Sequence, residues 1–225
     1  KYQCESLSLQ KVSHKLPTPL PSSLLELTDA LKEAPFPVML YTDMYNMMFK
    51  EDAALYKDLK ERCLKNIKRT EEFMLLMVAL INFQLREVNR GNPAALEEVF
   101  NLYKCALEHE LFTLGGFFPN LPFNMIVTVA CKLKEYEWVE EFIEHNAPLL
   151  HPKEKKNTEI LSKAKVFFEQ KKYEEALEAC NDIDMKRMST NLQFRTLRIR
   201  IYYELPHYKK ALQSDCTNLL QYARR

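Results

Sequence analysis

Apolar side chains recur every three or four positions along most of the chain, the spacing that places them on one face of an α-helix. One segment carries Leu55, Leu59, Cys63 and Ile67 at this spacing, and residues 96–107 repeat the pattern. The intervening positions are rich in Leu, Glu, Lys and Ala, which are good helix formers. The pattern therefore predicts a chain built from amphipathic helices.

Clusters of proline mark the ends of these segments, because proline opens a helix well and continues one badly. Residues 197–202 alternate like a strand, but Phe194, Leu197, Ile201 and Leu205 keep helical spacing, so we assign a helix there. The predicted helices lie near residues 22–34, 37–50, 52–68, 70–89, 93–112, 122–134, 136–147, 153–170, 172–184, 190–204 and 207–222.

A short motif recurs near the C-terminal end of the sequence. Tyr-x-x-Ala-Leu begins at Tyr173 and again at Tyr208, 35 residues later, and a looser copy begins at Tyr136. Each copy follows a predicted helix after a break long enough only for a tight turn. One helix pair cannot bury its apolar faces alone, so the repeat predicts stacked pairs with a continuous core.

This motif resembles the tetratricopeptide repeat, a unit of two antiparallel helices. Residues 170–177 match the start of the second helix of that unit, with Lys171 in place of the usual turn glycine. Ala164 and Phe167 match the small and aromatic positions of the first helix. The resemblance implies an all-α fold, a right-handed α-solenoid of antiparallel helix pairs with ten or eleven helices.

The match varies along the chain. The Tyr208 copy keeps Ala211 but has Ile199 where a small residue is expected, and the Tyr136 copy has Val139 where alanine belongs. Residues 51–55 and 92–96 are candidates for degenerate copies. We expect a repeat domain over residues 37–225, with its best repeats at 122–150, 153–184 and 190–222. Residues 1–36 form an N-terminal segment with one predicted helix, either a cap on the solenoid or a separate element.

Composition narrows the function classes. The chain has 225 residues, 47% of them apolar, so it can bury a core, and its formal net charge of +1 argues against a dedicated nucleic-acid binder. It has only 3 glycines, and the glycine-rich phosphate loops of nucleotide-binding enzymes are absent. No histidine or cysteine motif for a metal and no nucleophile motif is present. We therefore expect a protein that is not an enzyme and has no cofactor or metal.

Compartment signals point to the cytoplasm. No apolar run is long enough for a membrane span, and no signal peptide is visible. The 6 cysteines are widely separated, so we expect reduced thiols. The first residue is lysine rather than methionine, which indicates part of a longer protein. The oligomeric state stays open.

The resemblance also implies a site for a partner. In tetratricopeptide repeats the first helix of each pair lines the concave groove. Carried over in phase, the candidate groove residues of this chain are Asn124, Thr128, Lys165, Phe168, Arg200 and Tyr203, with Leu161 and Thr196 beside them. Cations with amide and hydroxyl groups suit an acidic or C-terminal-carboxylate peptide. We expect a protein-protein interaction scaffold that binds a protein or peptide.

Two alternatives stay open at this point. The basic stretch 186–200 is compatible with a nucleic-acid-binding helical repeat, although the near-neutral charge disfavours it. The irregular stretch Phe112–Phe123 either clasps a partner with exposed phenylalanines or tucks them into the neighbouring helix pair. An enzyme of unfamiliar type would have to place its site in that loop.

Overall fold

The computed structural model describes the backbone of residues 36–183 and 191–223. Within these ranges the regular structure is helical, with no β-strand, which confirms the all-α prediction. The predicted helix at 22–34 and residues 1–35 of the N-terminal segment lie outside the described residues. The helices are α1 (Phe36–Lys50), α2 (Ala53–Asn66), α3 (Glu71–Asn89), α4 (Ala94–Glu108), α5 (Asn120–Lys132), α6 (Tyr136–Asn146), α7 (Pro152–Glu169), α8 (Tyr173–Cys180), α9 (Asn191–Glu204) and α10 (Lys209–Ala223).

The chain divides into two compact units. Unit 1 covers Lys1–Leu114 and contains α1 to α4, whereas unit 2 covers Gly115–Arg225 and contains α5 to α10. In unit 1 the core includes Leu59, Met77 and Leu80, all fully buried, and the rings of Tyr56 and Phe83 stack at 4.8 Å. Helical spacing places these apolar residues on one face of each helix, and these faces pack together.

Four successive pairs of helices are each joined by a short connection that contains one residue in the left-handed conformation. These residues have positive φ and precede α2, α4, α6 and α8: Glu51 (58°), Gly91 (90°), Lys134 (62°) and Lys171 (63°). Connections this short place neighbouring helices antiparallel. Each of these four pairs is therefore a helical hairpin.

Three of these turns share one hydrogen-bond pattern. At the first, the Gly91 N–H donates to the Val88 carbonyl and the Asn92 N–H donates to the Glu87 carbonyl, both at 3.0 Å. After α5, the Lys134 N–H donates to the Cys131 carbonyl and the Glu135 N–H donates to the Ala130 carbonyl, both at 3.0 Å. The same bonds recur 37 residues later, at 3.0 and 2.9 Å, from Lys171 to Phe168 and from Lys172 to Phe167. This is the Schellman pattern, which satisfies the last carbonyls of a helix.

The three motif tyrosines occupy related positions. Tyr136 and Tyr173 are the first residues of α6 and α8. Tyr208 instead ends a short 3-10 turn, Pro206–Tyr208, directly before α10. Because Pro206 opens this turn in place of a left-handed residue, the connection between α9 and α10 has a different geometry.

The core of unit 2 confirms the helical interpretation of residues 191–204. Phe194, Leu197, Ile201 and Leu205 are all buried, as a face with helical spacing requires. They join one apolar cluster with residues of α7 and α8, namely Leu161, Ala164, Phe168, Ala176, Leu177 and Cys180. The strand-like alternation of residues 197–202 therefore does not correspond to a strand, because these residues belong to α9.

In the irregular stretch 112–123, two of the three phenylalanines that were expected either to tuck in or to stay exposed are buried, and one is exposed. Phe118 and Phe123 are buried and meet edge to face, with ring centroids 5.6 Å apart. The Phe118 N–H also donates to the Leu149 carbonyl at 2.8 Å. Phe117, by contrast, is 49% exposed.

The described cysteines are free thiols. Cys63, Cys131 and Cys180 are buried, Cys105 is half-buried and Cys216 is exposed, whereas Cys4 lies outside the described residues. Burial raises the pKa of the Cys180 thiol to about 11, so it stays protonated near neutral pH. No described helix combines the length and the apolar character needed to cross a membrane.

Candidate partner-binding face

The six candidate groove residues lie on three helices of unit 2 that are neighbours in space. α5 carries Asn124 and Thr128, α7 carries Lys165 and Phe168, and α9 carries Arg200 and Tyr203. α7 contacts both α5 and α9. We call the surface formed by these six residues the α5–α7–α9 face.

On α5, the candidates differ in exposure. Asn124 is 1% exposed, and its Nδ2 donates to the Asn120 carbonyl at 2.9 Å, while its Oδ1 is buried without a hydrogen-bond partner. Thr128 is half-buried and donates to the Asn124 carbonyl at 2.7 Å. Asn124 therefore supports the face from within, whereas Thr128 contributes to its surface.

Lys165 is the central charge of the face. Its Nζ donates to Thr128 Oγ1 at 3.4 Å, and it forms no ion pair with a carboxylate of the described residues. Burial lowers the pKa of Lys165 to about 8, with a smaller lowering by the positive charge of Arg200 and an opposing effect from the Cys131 thiol. A half-buried ammonium without a carboxylate is costly, so this position favours an anion from outside.

Arg200 lies on an aromatic platform. Its guanidinium is centred 4.3 Å from the Phe168 ring, a cation–π contact, and its Nη2 is 3.4 Å from Glu169 Oε1. The Arg200 side chain is 53% exposed, whereas Phe168 is 8% exposed. Phe168 is thus a mostly buried ring that supports a half-exposed guanidinium.

Tyr203 extends the face into a cleft. The Tyr203 side chain is 75% exposed. It borders a cleft of about 550 Å³ between α7, α8, α9 and α10, whose lining also includes Phe168, Lys171, Tyr173 and Arg200. The lining thus combines an exposed tyrosine with cations and with the carboxylates of Glu169 and Glu204.

The sequence analysis did not predict a row of buried polar side chains on α5 and α7, which we call the polar seam. The buried polar side chains of the described residues all lie on α5 and α7: Asn124, Asn157, Thr158 and Ser162. Thr158 donates to Asn120 Oδ1 at 3.2 Å, and Asn120 donates to Glu154. The i, i+4 spacing of Asn120, Asn124 and Thr128 is the signal that could have revealed the seam.

The described residues also bear on two other kinds of site, a metal site and a basic surface for nucleic acid. No group of three or more His, Cys, Asp or Glu side chains could hold a metal ion among the residues that were described. In the basic stretch, Arg198 binds Asp215 through two bonds, one of them 2.7 Å long, and Arg200 pairs with Glu169. Lys186 and Arg187 lie outside the described residues.

Comparison with protein-family models, with curated proteins and with solved structures finds no match for this chain. Functional inference therefore depends on the side chains described above.

Proposed function

We propose that this chain is a non-catalytic protein-protein interaction scaffold that binds an acidic or carboxylate-terminated peptide on the α5–α7–α9 face. The observation that supports this most is the pair of cations on neighbouring helices. Lys165 has no carboxylate partner in the described residues, and Arg200 is half-exposed on its aromatic platform. A peptide carboxylate would supply the missing counter-ion through charge-assisted hydrogen bonds.

The proposal includes the finer architecture, a right-handed solenoid similar to tetratricopeptide repeats. Two observations support it. Short hairpin turns recur before α2, α4, α6 and α8, and the turns at Lys134 and Lys171 repeat the same hydrogen bonds. Tyr136 and Tyr173 also begin equivalent helices. Stacked hairpins of this kind leave the first helices side by side as a docking surface.

Nucleic-acid binding through the stretch 186–200 is the weaker alternative. The net charge of +1 gives little long-range attraction for phosphate, and both Arg198 and Arg200 already contact carboxylates. A labelled single-stranded oligonucleotide tests it directly. Under the scaffold proposal we expect no saturable binding of that oligonucleotide at low salt.

Fluorescence anisotropy can test the main proposal with a pair of labelled peptides. The first is GSYEELD with a free C-terminal carboxylate, and the second is its neutral analogue GSYQQLN with an amidated end. We expect the first to bind and the second to bind at least tenfold more weakly. Both Lys165→Met and Arg200→Ala should weaken the acidic peptide about tenfold, equivalent to about 1.4 kcal/mol.

The matched control is Lys163→Met, because Lys163 is exposed on the same helix and pairs with Glu159. It should bind the acidic peptide within twofold of the parent chain. Equal loss in Lys163→Met, or equal binding of the two peptides, would contradict the proposal. Affinity should also fall as the pH rises through about 8, where Lys165 loses its proton beside Cys131, Glu169 and Arg200.

A further inference from the structure

A second cleft lies between α6 and α7. It has a volume of about 590 Å³, and it is closed at one end by the 3-10 turn Ala147–Leu149. Its lining includes the buried side chains of Ile143 and Val166 and the half-buried ring of Phe167. Leu149, next to the lining residue Pro148, is 43% exposed. The floor of this cleft is therefore apolar and open to a partner.

The α6 side of the cleft is strongly acidic. Helix α6 carries Glu137, Glu140, Glu141 and Glu144, all exposed, and no lysine or arginine. Glu140 and Glu144 line the cleft. Glu140 accepts a hydrogen bond from Gln170 at 3.3 Å, but none of the four glutamates forms an ion pair with a described residue. Like charges four residues apart repel each other, so cations from outside would stabilise this helix.

The α7 side of the cleft carries two lysines and one glutamate, fewer charges in excess than the two glutamates on the α6 side. Lys163 pairs with Glu159 at 2.7 Å, and Lys155 adds one positive charge. The excess charge at the cleft is therefore negative and lies on α6. An apolar floor beside one acidic edge is complementary to a segment that is apolar on one side and basic on the other.

This cleft is separate from the α5–α7–α9 face. Each residue turns about 100° around a helix axis, so Val166 lies about 100° and Lys163 about 160° around α7 from Lys165. The cleft thus uses a different side of α7. The two surfaces also differ in charge, because the first presents cations and the second presents carboxylates.

We propose that the α6–α7 cleft is a second docking site, which binds a cationic amphipathic segment of a partner protein. The apolar side chains of the segment lie on Ile143, Val166 and Phe167, and its lysines or arginines face Glu140 and Glu144. The proposal does not depend on the function of the α5–α7–α9 face. It gives the chain two sites of opposite charge preference on unit 2.

The test uses two labelled model peptides with the same apolar positions, the basic LKKLLKLLKKLLKL and the acidic LEELLELLEELLEL. Anisotropy titrations of the full chain should show saturable binding of the basic peptide that weakens with added salt. The double variant Glu140→Lys/Glu144→Lys should lose at least tenfold in affinity.

The chain offers a closely matched control on α8. Glu174 and Glu178 are also exposed and four residues apart, so Glu174→Lys/Glu178→Lys makes the same charge change elsewhere in unit 2. This control should bind the basic peptide within twofold of the parent chain. Circular dichroism establishes that every variant is folded. Equal loss in the α8 control, equal weakening of the acidic peptide by Glu140→Lys/Glu144→Lys, or absence of saturable binding of the basic peptide would overturn the proposal.

Discussion

At the residue scale, Lys165 joins a stability cost to the binding role that we propose for it. Its ammonium is held between α5 and α9, where burial is the main cause that lowers its pKa to about 8. A partner carboxylate would remove part of that cost. Residues that serve binding often reduce stability in this way.

Lys165→Met is expected to stabilise the free protein at pH 7, because it removes the buried charge while keeping the length of the side chain. The pKa of Lys165 is about 8 in the folded chain and 10.5 as an ordinary lysine. Between these values the unfolded chain holds a proton that the folded chain has lost, so the stability of the parent chain rises with pH there. The gain of Lys165→Met should be on the order of 1–2 kcal/mol at pH 7 and shrink as the pH rises above 8.

Urea unfolding at pH 7 and pH 9.5 measures this difference. The exposed control Lys163→Met should change the free energy of unfolding by less than about 0.5 kcal/mol at both pH values. A destabilised Lys165→Met chain, or a gain that grows with pH, would show that the ammonium is well accommodated.

At the element scale, the hairpin turns decide how the helices pair. Lys134 and Lys171 adopt the left-handed conformation that glycine usually provides, although both carry a side chain. The repeat motif predicted a turn at Lys171, where this chain has lysine in place of the usual glycine. The same hydrogen bonds form at both turns, so the Schellman geometry tolerates this strain.

Lys171→Gly and Lys134→Gly should each raise the free energy of unfolding by about 0.5–1 kcal/mol. The left-handed conformation costs a non-glycine residue roughly 1–2 kcal/mol, and the greater freedom of glycine in the unfolded chain offsets part of the gain. Lys163→Gly, in the middle of α7, should instead lower it by about 1 kcal/mol. Thermal or urea unfolding distinguishes the two signs, and a loss in Lys171→Gly would argue against strain at that turn.

At the scale of the whole molecule, the chain divides into two compact units. Leu80 lies in the core of unit 1 and Leu161 in that of unit 2, and both are 0% exposed. Truncating a fully buried leucine to alanine costs about 2–5 kcal/mol. The two substitutions are therefore equivalent probes of the two units.

Hydrogen exchange should show that each truncation acts within its own unit. We expect Leu161→Ala to speed amide exchange across residues 115–225 more than in unit 1, and Leu80→Ala to do the reverse. Mass spectrometry of peptides from both units measures this. Uniform loss of protection in both variants would mean that the two units unfold together.

The sequence by itself determined which segments form helices and which position of the repeat each candidate face residue occupies. Helical periodicity is local, so Phe194 and Ile201 could be assigned to a buried face without knowledge of their neighbours. Repetition of Tyr173 and its surroundings fixed the pairing of helices. The face residues Thr128, Lys165 and Arg200 were carried over from the tetratricopeptide resemblance, and they do lie on neighbouring helices.

Only the tertiary structure decided what these side chains meet. The burial of Asn124, the exposure of Phe117 and the lowered pKa of Lys165 each depend on residues that are distant in the chain. The acidic α6–α7 cleft likewise exists only because α7 lies against α6. Burial and electrostatic energy depend on distance in space, and a pattern of spacing along the chain carries information about one helix at a time.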